Sequence, residues 1–477
     1  MEKEGLALIK DLEKYSHGKK MWQVEIMDTL LAPVWSMELE LDSRLSLVGF
    51  EHDTGQLYLL FREEQTNYYN FQLLTMRYYE KFFQINKIRF DLTFRLTHFT
   101  VAGNSAIFGG YINSEPAVLL YDQKGEHPKV LPGLFTRGIS LLDVKTNQNK
   151  SFNVLLAESM GLEKNRLIVR TFDPVGNLLM DDVINVDPKL TILSGITSTL
   201  IRDEMIIVGT YGTGNGKLAL GFYSVIVDPF NEQSISHVEF STMEHFLDYL
   251  PEKKAKSIKT KAQKQRSEGV VPSYKASVVP FRLDENEGGF YLLSEVYNPS
   301  NSINAYPYGN PAWNYGTTPP SYSYPTSSRY NNPPYINDPS TRNSDVRMIE
   351  TVVTKFGPRG TAEKDVSLKL EDVRQVLLEQ KGDFIIVNDS LIVGYKKKNE
   401  VWFQKEAGEP GSIPVVQQVK VQLKRSTDMV KEENDDAGGL RFWYGNHFYI
   451  WGYQQIKVAD NDGGQSHNVF YVNRIDL

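Results

Sequence analysis

Residues 205–212 read MIIVGTYG, a continuous apolar run that ends in glycine and tyrosine, and seven similar segments occur along the chain. The others are GLALIK at Gly5, LYLLF at Leu57, AIFGGYI at Ala106, FNVLLAE at Phe152, FYLLSEVY at Phe290, LIVGYKK at Leu391 and FYIWGYQ at Phe448. Their starts lie about 46 to 57 residues apart, except at two gaps that each hold an insertion. A regular period of this length indicates a repeat architecture with eight units.

The repeats predict an all-β fold. Because the runs are apolar at consecutive positions, both faces of each sheet must be covered. Connections of a few residues leave no room for the crossover helices of a parallel sheet, so the strands must form antiparallel meanders. Small sheets that cover one another's faces around a common axis form a β-propeller. We therefore predict a single β-propeller domain over residues 1–477 with eight blades, or seven if the first and last units share one sheet.

Each end of the chain looks one strand short. The last unit offers three strands, near residues 440–445, 447–457 and 468–475, and the first begins with Gly5 at what would be its second strand. We expect that an upstream segment carries the missing strands, and a signal peptide with them. Residues 1–20 contain acidic residues and have no apolar stretch or cleavage site typical of export. The predicted location is periplasmic or outer-membrane associated if such a segment exists, and cytoplasmic if Met1 is the true start.

Two insertions interrupt the repeats. Residues 241–269 start with a capping box, STME, followed by Phe246, Leu247 and Leu250 at helical spacing, so we expect a helix to begin at Ser241. Beyond Pro251 this insertion is strongly basic. Residues 298–345 contain no Lys or Glu and are rich in Pro, Tyr, Asn and Ser, a composition that predicts a flexible loop.

Composition excludes several classes of protein. The chain has 477 residues, no cysteine and a net charge of −7. The missing cysteines exclude disulfide scaffolds, thiol nucleophiles and cysteine-ligated metals. The acidic balance disfavours bulk nucleic-acid binding, and no apolar run approaches the roughly 18 residues of a membrane span.

Motif searches find no catalytic site. The chain has no G-x-S-x-G or S-x-x-K motif, and the glycine-rich residues 209–216 lack the lysine and helix of a phosphate loop. Glu244, His245 and Asp248 share a helical turn, but one histidine makes a metal site the weaker interpretation. His98, beside Arg95, is better read as a structural histidine than as a general base. We predict no catalytic residue, no cofactor and no metal.

The remaining candidates are partner-binding residues. The basic stretch offers Lys253, Lys254 and Lys256 to an acidic partner or anionic lipid, or is simply a solvated face. The aromatic residues of the second insertion cannot all enter a core. Either they form a contact surface for protein or glycan, or the insertion is tolerated without a function; they are Tyr306, Tyr308, Trp313, Tyr315, Tyr322 and Tyr324. We predict a non-enzymatic binding or scaffolding propeller whose partner is an envelope protein or glycan. The alternative is a polysaccharide-active enzyme, a glycosidase or lyase, with acidic residues at the propeller axis.

The chain also resembles a family of uncharacterised exported proteins of the Bacteroidota. The matching stretches are VLPGLF at Val130, VGTYG at Val208, MEHFLDYLPEKKAKSIK at Met243, the Tyr/Pro-rich loop, and GGLRFWYGNHFYIWGYQQIK at Gly438. The resemblance covers nearly the full length and implies an exported propeller of the periplasm or outer membrane. It carries no known activity or catalytic residue.

Overall fold

The protein is an eight-bladed β-propeller, as the repeats predict, and the number of blades is eight rather than seven. The computed structural model describes residues 2–63, 70–125, 127–134, 138–159, 165–199, 205–214, 216–228, 233–286, 288–299, 346–375, 378–388, 390–406, 416–421, 429–457 and 466–477. Each blade is an antiparallel meander of strands joined in chain order. Within the described ranges, no helix is both long and apolar enough to cross a membrane.

The first four blades lie in the N-terminal part of the chain, after a 3-10 turn at Glu2–Glu4. Blade 1 has three strands and blades 2 to 4 have four each. The strands are β1 (Leu6–Ser16), β2 (Lys19–Met27), β3 (Pro33–Asp42), β4 (Leu45–Asp53), β5 (Gln56–Glu63), β6 (Asn70–Arg77), β7 (Phe82–Arg89), β8 (Arg95–Ala102), β9 (Ser105–Ile112), β10 (Glu115–Asp122), β11 (Lys129–Val130), β12 (Ile139–Thr146), β13 (Phe152–Ser159), β14 (Asn165–Phe172) and β15 (Leu178–Asn185).

Blades 5 to 8 follow, and the last has three strands. In blade 5 the first strand is split into two short pieces, β16 and β17, which both pair with β18. The strands are β16 (Leu190–Ile192), β17 (Ile196–Thr197), β18 (Met205–Thr213), β19 (Gly221–Val227), β20 (Ile235–Glu239), β21 (Ser277–Asn286), β22 (Gly289–Pro299), β23 (Val346–Phe356), β24 (Ala362–Gln375), β25 (Gly382–Val387), β26 (Ser390–Lys397), β27 (Glu400–Lys405), β28 (Val416–Lys420), β29 (Met429–Tyr444), β30 (His447–Lys457) and β31 (Ser466–Asp476).

The hydrophobic core is divided into clusters that lie between neighbouring blades. Strand β18 shows why its sequence is apolar at every position. Met205 and Ile207 pack towards blade 4, whereas Ile206 and Val208 pack towards blade 6. Successive side chains of a strand point to opposite faces, so a blade between two others needs apolar residues on both. The continuous apolar runs are therefore the signature of stacked blades.

The ring closes between blade 8 and blade 1 through a small contact. Trp443 of β29 is buried with Leu6 and Met27 of blade 1, and its Nε1 donates to the carbonyl oxygen of Gly5 at 3.3 Å. Arg474 of β31 adds a hydrogen bond from its Nη1 to the carbonyl oxygen of Thr29 at 2.9 Å. The terminal blades thus join by side chains that bond to backbone. Both have three strands, as expected.

The first insertion differs from the prediction at its start. Residues 240–250 form a 3-10 turn, Phe240–Thr242, and further turns, and helix α1 spans Glu252–Ser267. The expected helix start at Ser241 is wrong because the capping box does not form: the Ser241 hydroxyl faces Glu239, and Asp365 of blade 6 binds the amides of Glu244 and His245. Pro251, which has no N–H to leave unpaired, directly precedes the helix.

Candidate functional site

In blades 2, 3, 4 and 6, the inner strand, which begins the meander of the blade, carries a β-bulge at an equivalent position. A β-bulge interrupts the pairing just before Gly49 in β4, His98 in β8, Asp143 in β12 and Arg282 in β21. A bulge adds one residue to a strand and redirects the side chains that follow it. Equivalent positions of four blades therefore present a glycine, a histidine, an acid and a cation near the axis.

Blades 4 and 5 are joined by two side chains of β12 that hold one residue of β17. Asp143 Oδ2 accepts hydrogen bonds from the Thr197 amide at 2.8 Å and from its hydroxyl at 3.0 Å. Lys145 Nζ donates to the Thr197 carbonyl oxygen at 3.0 Å. Burial lowers the pKa of Lys145, although Asp143 and Asp284 both attract the ammonium and act in the opposite direction. The two side chains thus replace the strand pairing that separate blades cannot make.

Blades 6, 7 and 8 are joined in the same way by a buried ion pair. Arg282 of β21 pairs with Asp383 of β25, and its Nη2 also donates to the Phe384 carbonyl oxygen at 2.9 Å. Asp383 Oδ2 accepts the amide of Phe442 in blade 8 at 2.8 Å. Arg441, also in blade 8, donates a hydrogen bond from its Nη2 to the Gln380 carbonyl oxygen at 2.5 Å. One chain of charged groups therefore links three consecutive blades.

These contacts bear on an enzyme mechanism at the axis. Asp143 and Asp383 are almost fully buried, and both are bound by backbone amides of the next blade. A general acid or nucleophile needs an accessible carboxyl with a tuned pKa. His98 is also buried, and burial lowers its pKa to about 4, so its imidazole is neutral at pH 7. The geometry fits the structural interpretation of His98 and gives Asp143 and Asp383 a structural task.

A second polar cluster holds the first insertion on the rim of blade 6. Asp365 Oδ1 and Oδ2 accept the amides of Glu244 and His245 at 2.9 and 2.7 Å. Ser367 Oγ donates to the His245 carbonyl oxygen at 2.9 Å. His245 Nδ1 lies 2.8 Å from Asp248 Oδ2, and this hydrogen bond raises the pKa of the imidazole. The segment before α1 is thus fixed by directional bonds rather than by a helix cap.

We expect replacement of Asp365 by alanine to loosen this segment. The two amides would lose buried acceptors, at a cost of roughly 2 kcal/mol. Hydrogen exchange followed by mass spectrometry should show faster exchange, about tenfold or more, in peptides that cover residues 240–250. Glu371→Ala, on the exposed part of the same strand, is the control and should leave exchange unchanged. Equal exchange in both variants would contradict the anchoring role of Asp365.

Helix α1 rests on the anchored segment with one face. Ala262 is buried, and Ala255 and Ile258 pack against the cluster that contains Phe246 and Leu247. Lys259 Nζ donates to the Glu244 carbonyl oxygen at 2.8 Å, and Arg266 Nη1 lies 2.9 Å from Glu239 Oε2. Apolar contacts near the middle of the helix and hydrogen bonds from Lys259 and Arg266 therefore hold α1 against the propeller.

The opposite face of α1 is cationic. With 100° per residue, Lys253, Lys256 and Lys264 lie opposite the side that carries Ala255, Ile258 and Ala262. Lys254 and Lys261 lie at the edge of that side, about 40° and 60° from Ile258, and are exposed as well. These five lysines form the outer face of α1. Lys256 pairs with Glu252 at 2.6 Å, but both side chains are more than three-quarters exposed, where such pairs contribute little. Within the part of the chain that the structure describes, no carboxylate partner is seen for Lys253, Lys254 or Lys261.

The structure describes the predicted partner-binding lysines but not the predicted aromatic residues. Lys253, Lys254 and Lys256 lie together on the first turns of α1 and are exposed. The aromatic candidates lie outside the described residues; they are Tyr306, Tyr308, Trp313, Tyr315, Tyr322 and Tyr324. Sequence reasoning missed Asp365, Arg282 and Asp383. No local signal marks them, because each acts on residues more than 100 positions away.

Comparison with known proteins gives the fold alone. No family model and no curated protein matches the chain. Among solved structures, the chain is similar to a prolyl endopeptidase, with 12% identity, a TM-score of 0.40 and coverage of 90% of this chain and 50% of that one, so it spans about half the length of that protein. It is also similar to the polysaccharide lyase Uly1, with 8% identity, a TM-score of 0.41 and coverage of 99% and 97%. The propeller domain of the Trilobed protease from Pyrococcus furiosus has 7% identity, a TM-score of 0.37 and coverage of 89% and 95%.

Proposed function

We propose that this protein is a non-enzymatic binding or scaffolding propeller of the bacterial cell envelope. The observation that carries the proposal is helix α1, which packs over the hydrophobic cluster between blades 5 and 6 and leaves five lysines exposed to solvent. Polar helices are marginal alone, so the packing of Ala255, Ile258 and Ala262 keeps this helix folded and holds its lysines in fixed positions. The inner-strand acids Asp143 and Asp383 support it as well, because they hold neighbouring blades together. The envelope location rests on the resemblance to exported proteins.

A polysaccharide-active enzyme is the second candidate, and one observation favours it. Asp143 and Asp284, on the inner strands of blades 4 and 6, both act on the charge of Lys145. Two carboxyl groups and a lysine therefore converge at the inner ring. Asp284 is partly exposed, although Arg282 Nη2 contacts its Oδ2 at 2.9 Å. This candidate requires turnover of a polysaccharide, which the binding function does not.

The binding function predicts that the lysines of α1 hold the protein on envelope material. The full chain, mixed with isolated envelopes of a Gram-negative bacterium, should sediment with them at low salt. K253E/K254E/K261E should lower the bound fraction at least about tenfold, because a lysine near an anionic surface contributes roughly 1 kcal/mol. Released sugars are measured in the same samples, and none are expected.

The control is K14E/K129E/K189E, which makes the same change in net charge at three exposed lysines elsewhere. It should sediment like the unmodified chain. Equal loss in both triple variants would mean that only the total charge matters, and the proposed role of α1 would be wrong. Release of sugars that D284N abolishes would favour the enzyme instead.

A further inference from the structure

We propose that the outer face of α1 binds a single linear anionic polysaccharide, a chain with carboxylate or sulfate groups, laid along the helix axis. This inference rests on the proposed binding function and names the chemistry of the partner. The outer face runs from Lys253 to Lys264, which is about 16 Å along the axis. Lysines on several successive turns would contact charges spaced along an extended chain.

The charge around α1 favours a narrow partner. Residues 252–267 carry a net charge of +6, and since the whole chain is −7, the remaining residues carry −13. Exposed acids stand beside the helix: the side chains of Glu244, Asp248 and Glu268 are 63%, 49% and 55% exposed. A flat anionic bilayer that reached the lysines would also approach these acids and be repelled. A single polymer chain, no wider than the helix, meets the lysines with one acid of α1, Glu252, beside them.

The apolar face of α1 also disfavours a membrane. Interfacial helices bind bilayers by burying an apolar face between the headgroups. Here the apolar residues Ala255, Ile258 and Ala262 are already packed against the propeller. Only polar side chains of α1 are exposed, so the helix itself has no free apolar residue to insert into a bilayer.

The side chains of the outer face suit a sugar polymer better than a nucleic acid. Lysine binds carboxylate, sulfate and phosphate alike as a compact point charge, so the choice between these polymers rests on the side chains around the lysines. The single arginine of α1, Arg266, is bound to Glu239. The helix has no aromatic side chain on which a base could stack. Between the lysines lie Ser257, Thr260 and Gln263, whose hydroxyl and amide groups can exchange hydrogen bonds with sugar hydroxyls.

The test measures binding of the full chain to five purified probes by titration calorimetry. They are polygalacturonate, dextran sulfate, neutral dextran, vesicles of anionic phosphatidylglycerol, and duplex DNA. We expect binding to one or both anionic polysaccharides and weaker or no binding to the other three. The two anionic polymers distinguish carboxylate from sulfate recognition. K253A/K254A/K261A should weaken the favoured polymer at least about tenfold and reduce the dependence of log K on log salt by roughly two to three, whereas K14A/K129A/K189A should change neither.

The outcomes separate this inference from the proposed function. Vesicles or DNA that bind as tightly as the polysaccharides would overturn the inference. Binding to envelopes with no binding to either anionic polymer would also overturn it, and the proposed function would stand. Absence of binding to envelopes and to all probes would refute both. Thermal unfolding of each variant verifies that the exposed lysines are not needed for folding.

Discussion

Replacement of Asp383 by alanine is expected to destabilise the protein by about 3–5 kcal/mol. The substitution removes the buried counter-charge of Arg282, whose guanidinium is 7% exposed, and leaves it only the partly exposed Asp284. It also removes the acceptor of the Phe442 amide, a bond of 2.8 Å that joins blades 7 and 8. Chemical denaturation followed by tryptophan fluorescence measures the loss.

A matched control variant and a rescue variant test the size of this loss of stability. Glu371→Ala removes an acid whose side chain is half exposed and paired with Lys369, so a loss of less than about 1 kcal/mol is expected. R282M/D383A removes both charges and should recover part of the stability lost in D383A, because the buried cation is gone. If D383A lost no more than E371A, Asp383 would not hold the blades together.

The architecture was predictable because it follows from alternation within single strands. In β5, Leu57 and Leu59 pack towards blade 1, while Tyr58 and Leu60 pack towards blade 3. Each requirement is local, so five consecutive apolar residues report that sheets lie on both sides. The same reasoning, applied to every repeat, gave eight blades.

The contacts between blades were not predictable, for a physical reason. The pairing of Arg282 with Asp383 needs the bulge before Arg282, and pairing register depends on the partner strand as well as on local sequence. The start of α1 was predicted wrongly for a similar reason. Ser241 and Glu244 have the spacing of a capping box, but Asp365, 121 residues away, binds the Glu244 amide. A local pattern cannot exclude a stronger acceptor from another blade.

The basic helix α1 was predictable only in part. Its lysines were visible in the sequence, and their exposure follows from charge. Which lysines share a face depended on where the helix begins and which face is buried. Ala255, Ile258 and Ala262 fix that face only because the segment before them is anchored on blade 6.

Glu295, in the second strand of blade 6, should make the stability of the protein depend on pH. Its side chain is fully buried, and its Oε1 accepts the amides of Lys381 and Gly382 at 2.8 and 2.6 Å and the hydroxyl of Thr351 at 3.1 Å. Burial raises the pKa of Glu295 to about 7, although the two amides and the charge of Arg441 lower it in part. Between about pH 4.5 and pH 7, the folded protein therefore keeps a proton on Glu295 that the unfolded chain, with a pKa near 4.5, has lost.

The sign of the dependence follows from this difference. Where the folded state binds more protons than the unfolded state, the free energy of unfolding falls as pH rises. The contribution is complete below about pH 4.5 and is lost as pH rises through about 7, with a total of roughly 3 kcal/mol. Glu295→Gln is neutral at every pH and keeps an oxygen that can accept the two amides.

We therefore compare the free energy of unfolding of Glu295→Gln and of the unmodified chain at about pH 5 and pH 8. The two proteins should be similar at the lower pH, and the variant should be more stable by roughly 2–3 kcal/mol at the higher. Glu371→Gln is the matched control, and its difference from the unmodified chain should not change with pH. A difference for Glu295→Gln that is constant, or that reverses at pH 8, would mean that the bonds to Lys381 and Gly382 outweigh burial and keep the carboxylate ionised. The junction of blades 6 and 7 would then be held by a charge, as the Arg282–Asp383 pair is, and not by a neutral acid.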